Sequence, residues 1–303
     1  MIPKIVHRVW MSDELPDKNS KIGQCFYSQE KLKDYGYEIR TYNAKNFDCS
    51  ISKFLLQAYA LKKWAFVTDY IRIWTLYNYG GIYMDGDVEV IKPFDELLDL
   101  PYFCSAKYIT WDNQEKDPGK RHPHTIGIYS DYGCTFDGGI FGFEKHSPIL
   151  KLILDFYDNC NFIEDDYFIH DKSYRADNFT EDYIEYKITD VLVKNGYKRY
   201  LVDDLENYRK FLKDPNSEKS VYVLNTQFLC DANYHRHEDK NLECICIHYG
   251  IGSWIDRNAF EKRDREKLTD YPQEEQDEYF KRYENYTFNE DNNIYGYDFK
   301  GKE

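Results

Sequence analysis

Asp85 and Asp87 stand one residue apart at the end of a short apolar run, and Asp69 and Arg72 stand three apart in the stretch before it. Two carboxylates leaving a strand end toward one point can hold a hard, oxygen-loving cation while positions stay open for phosphate oxygens and water. Residues three apart share one helix face, so Asp69 and Arg72 form a single polar patch. Arg72 offers a planar fork of donors suited to hydroxyls, and Asp69 can hold it still. Plainer roles fit the same residues. Asp-Gly pairs make turns, and Asp69–Arg72 read alone is an intrahelical ion pair worth about 0.2–0.5 kcal/mol. A calcium loop would place Asp85, Asp87, Glu89 and Glu96 at positions 1, 3, 5 and 12, but position 6 requires Gly and holds Val90, which counts against it.

Positioning these groups needs a helix, a break and a strand. Val67, Ile71 and Trp74 repeat at helical spacing, which predicts a helix over 64–79. Gly80-Gly81 breaks it, and Ile82–Met84 reads as a short strand. Upstream, Lys4–Trp10 and Glu38–Tyr42 read as strands, and 20–34 and 51–61 as helices. Downstream, 102–108, 136–143, 221–224 and 243–248 read as strands, 148–159 as a helix opening on a proline, and 110–133 as a long polar loop. Residues 160–215 read as an excursion with one good helix near 180–195, and 261–303 as a charged helix and a Tyr/Phe-studded tail wrapped on the body. The alternation of strand and helix predicts an α/β fold with a mostly parallel sheet flanked by helices.

The whole chain narrows the field. Its 303 residues suffice for one large α/β domain. A net charge of −14 without a basic stripe argues against nucleic acid as a partner. The eight cysteines have no disulfide-framework spacing, which fits a reducing compartment. No stretch approaches the ~18 apolar residues of a membrane span. The expectation is a soluble cytoplasmic protein, with peripheral association at the inner face of the membrane left open. The 30 tyrosines supply flat faces with a polar edge, suited to sugars and bases, although core filling is the plainer account of each.

The ordered set Asp69, Arg72, Leu76, Tyr77, Gly80, Gly81, Tyr83, Asp85 and Asp87 resembles the sugar-binding region of family 32 glycosyltransferases, to which the glucosylating domains of clostridial toxins are related. The opening Ile2–Trp10 and the late block His248-Tyr-Gly-Ile-Gly-Ser-Trp254 are similar to that family's first strand and closing segment, in the right order. The resemblance implies a GT-A type fold over residues 1–260, with 160–215 on the acceptor side and 261–303 appended. It implies Mn2+ or Mg2+ as cofactor and a nucleotide-sugar donor whose hexose is transferred with retention. Under it, Asp85, Asp87 and His248 hold the metal. Asp69, Arg72, Tyr83, Gly138 and Gly139 meet the donor sugar. Val9 and Trp10 line the nucleobase pocket, while Ser253 and Trp254, with His248, reach the nucleotide's diphosphate. Likeness at Val9-Trp10 places a UDP-sugar ahead of a GDP-sugar, and the expected acceptor is a saccharide or lipid-linked oligosaccharide of capsule or lipopolysaccharide assembly.

Asp137, before Gly138-Gly139, is the candidate catalytic helper or nucleophile, with a tight bend at a strand start as the plainer reading. No carboxylate stands out as a nucleophile, so same-face attack, with the leaving phosphate taking the acceptor proton, is favoured over double displacement. A metal-dependent hydrolase of nucleotide sugars or phosphodiesters is the alternative enzyme, and a non-catalytic carbohydrate- or calcium-binding module a third reading. His122, His124, His235 and His237 read as surface loop histidines, and Cys244 and Cys246 as core thiols.

Overall fold

The computed structural model describes residues 1–107, 127–128, 135–163, 184–202, 204–214, 218–224, 229–231, 244–251 and 268–299. An eight-stranded sheet forms the centre, in the order β2-β1-β3-β7-β5-β9-β8-β6. Its strands are β1 (Ile5–Val9), β2 (Glu38–Tyr42), β3 (Gly81–Met84), β5 (Tyr102–Lys107), β6 (Gly127–Ile128), β7 (Thr135–Phe143), β8 (Lys198–Val202) and β9 (Ser220–Leu224). β2, β1, β3, β5, β9 and β8 all run one way, and β7 and β6 run against them. The mostly parallel sheet expected from the strand–helix alternation is what forms. A second, three-stranded sheet pairs β10 (Leu229–Asp231) with β11 (Cys246–His248), and β11 antiparallel with β4 (Val88–Val90).

Helix α1 (Lys21–Glu30) starts at Ser20, whose hydroxyl accepts from the Gly23 N–H and satisfies one of the unpaired first-turn donors. Helix α2 spans Lys53–Ala60, and α3 spans Trp64–Tyr79, as its apolar spacing predicts. Val67, Tyr70, Ile71, Ile73, Trp74 and Leu76 of α3 are all buried, so the helix runs through the core rather than over it. Gly80, at φ 65°, ends it, and Gly81 follows at φ 111°. A side chain on Gly81 would also place Cβ 2.4 Å from the Ile5 carbonyl, so β3 lies this close to β1 only without one. The helix Pro148–Asp158 buries Ile149, Leu150, Ile153, Leu154 and Tyr157.

The later chain is less of an appendage than its composition suggests. β8, inside the expected excursion of 160–215, is a strand of the main sheet, paired with β9 over five registers from Lys198–Ser220 to Val202–Leu224. Within the stretch read as a loop, Gly127–Ile128 form β6; the rest of 110–133 lies outside the described residues. The C-terminal helix is Gln273–Glu284. Beyond it the tail packs onto the body: Tyr297 is buried among Tyr42, Phe47, Trp74 and Tyr79, and Phe299 stacks on Trp74 at 5.5 Å.

Candidate active site

Parallel strands deliver their following residues to one rim of the sheet, where α/β proteins place their ligands. β1 leads into Trp10 there, and β3 into Asp85. β7 runs the other way, so its early residues arrive at the same rim, and the Asp85 N–H donates to the Gly139 carbonyl at 2.8 Å. Pairing between β5 and β7 is irregular at this point. From Cys104 to Ala106 the partner moves from Phe141 to Phe136, five residues against two, so Asp137–Ile140 bulge from the ladder. Bulges re-aim side chains beside functional sites. On the other side, β4 and β11 pair Val88 with His248, which brings the imidazole to the acidic pair.

Asp85, Asp87 and His248 each offer a ligand atom, and these atoms lie within 4.8 Å of one another. His248 Nε2 stands 3.5 Å from Asp87 Oδ1 and 3.9 Å from Asp85 Oδ2. The other ring nitrogen, Nδ1, faces both oxygens of Asp137 at 3.0 and 3.1 Å. A carboxylate on one nitrogen turns the other toward a metal position, the usual support of a ligating histidine. The ring lies against Gly139, where a Cβ would sit 2.3 Å from His248 Cε1. A donor set of two carboxylates and one imidazole, with a shaped seat for the ring, fits a divalent cation.

The charges of the cluster act strongly on one another. Burial pushes the Asp85 carboxyl above the usual range; Arg72 opposes this and the Asp87 charge adds to it. Burial acts on Asp87 in the same sense, but the bond and charge of His248 and the Ile251 N–H outweigh it and hold the group low. Burial would depress His248, yet Asp137 and then Asp87 raise it well above an ordinary imidazole. Asp137 acts on the Nδ1 side; a proton on Nε2 faces Asp87, on the side where a cation between Nε2, Asp85 and Asp87 would lie.

The α3 pair lies beside this cluster. Asp69 and Arg72 are both buried and bonded at 3.1 Å, and Arg72 Nη2 is 3.6 Å from Asp85 Oδ1. Arg72 also donates to the Gly138 carbonyl and lies over the Tyr83 ring at 4.6 Å. Tyr83 is wholly buried, and its hydroxyl donates to Asp85 Oδ1 at 2.5 Å. Tyr83 is therefore a prop beneath Asp85 and Arg72 rather than a surface offered to a sugar. Trp10 is half-buried: its indole N–H donates to the Glu14 carbonyl at 2.8 Å, its ring and that of Phe26 pack edge to face at 5.2 Å, and a Cβ on Gly86 would lie 3.5 Å from its ring. Val9 beside it is a core residue.

Of the residues singled out from sequence, Asp69, Arg72, Tyr83, Asp85, Asp87, Asp137, Gly138, Gly139 and His248 form one cluster, with Trp10 at its edge. Ser253, Trp254 and the histidines 122, 124, 235 and 237 lie outside the described residues. One role changes. Asp137 is expected from sequence as a catalytic helper or nucleophile, but it is fully buried behind His248 and also accepts from the Gly139 N–H at 2.9 Å. It supports the imidazole and does not face the open side of the cluster. The backbone of Ile251, whose N–H donates to Asp87 Oδ2 at 2.7 Å, was missed. Its place inside the His248–Trp254 block was the available signal.

Residues 10–104 match the family model described as the glycosyltransferase sugar-binding region containing the DXD motif, and the motif falls on Asp85 and Asp87. The chain is similar to two proteins of Schizosaccharomyces pombe. One is inositol phosphoceramide mannosyltransferase 3, 30% identical over 159 residues, which cover 50% of this chain and 41% of that protein. The other is inositol phosphoceramide mannosyltransferase 1, 25% identical over 131 residues and covering 40% of each. The chain thus spans less than half the length of these curated relatives. Among solved structures it is loosely similar to the PaToxG glycosyltransferase (TM-score 0.36, 16% identity, 64% of this chain and 69% of that one). A glycosyltransferase involved in glycosylation of the major capsid of PBCV-1 is equally distant (TM-score 0.38, 12% identity, 86% and 96% covered). Structural likeness that loose decides neither activity nor substrate. The resemblance read from the sequence, to glycosyltransferases with a DXD sugar-binding region, is the one found. Among the described residues no helix is long and apolar enough to cross a membrane.

Proposed function

We propose that this chain is a metal-dependent glycosyltransferase of the GT-A type that moves a hexose from a nucleotide-diphospho-sugar to a saccharide or lipid-borne acceptor. The observation that carries the reading is the convergence of Asp85, Asp87 and His248 on one point, with the buried Asp69–Arg72 pair beside it. Mn2+ or Mg2+ held there supplies charge neutralisation for the departing diphosphate, where negative charge builds in the transition state. The names of the two relatives bring mannose forward as the first hexose to test and an inositol-bearing sphingolipid as a model acceptor. UDP and GDP donors are both to be tried, along with lipid-linked oligosaccharides of the capsular or lipopolysaccharide kind.

The chain's own residues have separate tasks. Asp85 and Asp87 give oxygen ligands, and His248 gives Nε2 while Asp137 holds its Nδ1. Arg72, pinned by Asp69 and by the Gly138 carbonyl, presents a fixed guanidinium to donor hydroxyls. Trp10 offers a ring face at the end of β1 for the base. Transfer proceeds with retention by same-face attack, in which the acceptor proton passes to the leaving phosphate; the burial of Asp137 counts against it as the nucleophile of a double displacement. Thermal-shift screening with UDP- and GDP-sugars, with and without Mn2+, tests the reading, because a ligand of the folded state raises apparent stability. Metal-dependent stabilisation by a nucleotide sugar is expected. No response to any donor overturns the reading. Rapid stoichiometric donor breakdown without acceptor transfers it to the hydrolase.

A further inference from the structure

The turn bearing the acidic pair is gripped from below by α1. Asp85–Val88 closes as a β-turn, the Val88 N–H donating to the Asp85 carbonyl at 3.2 Å, with Gly86 and Asp87 in the middle. Gln29 of α1 is wholly buried, and its amide nitrogen donates to both carbonyls that bracket the turn, Asp85 and Val88, each at 2.9 Å. A glutamine amide has two N–H donors, and both are spent here. Its oxygen accepts from Arg8 Nη1 at 3.4 Å. Arg8 is itself buried, paired with Glu30, and laid 4.3 Å over the Phe26 ring. Phe26 in turn presses on the turn's centre, since a Cβ on Gly86 would fall 2.8 Å from it. One residue before Gln29, Ser28 Oγ accepts the Val90 N–H at 2.9 Å, beyond the turn.

We propose that Gln29 is a positioning residue that sets the separation and angle of the Asp85 and Asp87 carboxylates for cation binding without touching either one. This rests on the metal-dependent reading of the site. With the carbonyls of Asp85 and Val88 both tied to one rigid amide, the peptides between them cannot pivot, and the directions of the two Cβ atoms are fixed. Oxygen ligands of Mg2+ must lie within about 0.1 Å of their ideal distance, so a small rotation of the turn detunes the site. Loss of such outer-shell support commonly costs about 10–100-fold in metal affinity.

The test is Mn2+ binding to the full chain, followed by the electron paramagnetic resonance of free Mn2+, with thermal melting in metal-free buffer alongside. Gln29→Met keeps the length and loses both donors; Gln29→Glu keeps the shape and turns a carboxylate on two carbonyls. Each is expected to weaken Mn2+ binding by roughly 10-fold or more. Ser28→Ala removes the neighbouring contact of α1 with β4 and is expected to lower the melting temperature while leaving Mn2+ affinity within about twofold. If Gln29→Met does not fold, Gln29→Glu carries the same expectation. A folded Gln29 variant with near wild-type Mn2+ affinity overturns the proposal alone, as does a Ser28→Ala variant that weakens binding as much as the Gln29 variants. A wild-type chain that binds no Mn2+ overturns the metal-dependent reading and the proposal with it.

Discussion

Replacing Gly139 with alanine adds a single methyl group and should disable the site. The new Cβ would lie 2.3, 2.6 and 2.7 Å from His248 Cε1, Nδ1 and Nε2, against an ordinary contact of at least 3.4 Å. The shortfall at Cε1 is 3.4 − 2.3, about 1.1 Å. Gly139 has no positive φ, so the cost is steric rather than conformational. The imidazole is boxed in, with Asp137 at 3.0 Å on Nδ1 and Asp87 at 3.5 Å on Nε2, and it cannot yield without changing one or both distances. Losing a charge-assisted bond costs about 1.5–3 kcal/mol of stability. Misplacing a ligand should weaken metal affinity at least as much as losing outer-shell support, about 10–100-fold. Calorimetric titration with Mn2+ and denaturant unfolding in metal-free buffer measure the two effects separately. An alanine variant that binds Mn2+ within twofold of wild type refutes the assignment of Gly139 as the seat of His248. It also removes the ground for counting His248 among the ligands.

Three further outcomes are expected from other parts of the molecule. Asp87→Asn keeps the side chain's size and its bond from Ile251 but removes the charge; it should abolish Mn2+-dependent nucleotide binding while the chain still folds in metal-free buffer, and retained binding would exclude Asp87 as a ligand. His7 is wholly buried between the Tyr42 hydroxyl and the Gly80 carbonyl, and desolvation drives its pKa down to about 3 from 6.5. Only the unfolded chain takes up that proton between those values, so stability is intact above pH 6.5 and falls below it, by about 2 kcal/mol at pH 5. Unfolding at pH 7.5 and 5.0 checks this, and an equal drop in His7→Gln would remove His7 as the cause. Tyr297→Ala should cost about 3–5 kcal/mol, as for a buried aromatic, with Mn2+ binding unaffected; a denaturant midpoint near wild type would show that the tail adds little to the core.

What the sequence disclosed and what it hid have physical explanations. The helix of Asp69 and Arg72, the Gly-Gly break and the strand to Asp85 are local, encoded by periodicity and by glycine's tolerance of φ values such as 111° at Gly81. β8 was hidden because Lys-Arg-Tyr-Leu-Val follows polar sequence and earns its strand from β9, a tertiary effect. Asp137 reads from sequence as a helper or nucleophile but lies buried behind His248; composition at 136–143 reveals a special segment but not which way its carboxylate points. That direction depends on His248, 111 residues away. Gln29 had no signal of its own: a glutamine on an amphipathic helix looks like any solvent-facing residue until the turn 56 residues later folds against it.

The separation of 164 positions between Asp87 and its backbone donor Ile251 carries a consequence for biosynthesis. At about 5–20 residues per second, a ribosome releases the acidic turn roughly 8–33 s before it supplies the segment that completes it. During that interval the nascent chain carries the recognisable motif but no place to bind a cofactor. Newly made protein therefore passes through a stage that chaperones and proteases can meet, and the turn is completed only once Ile251 has emerged.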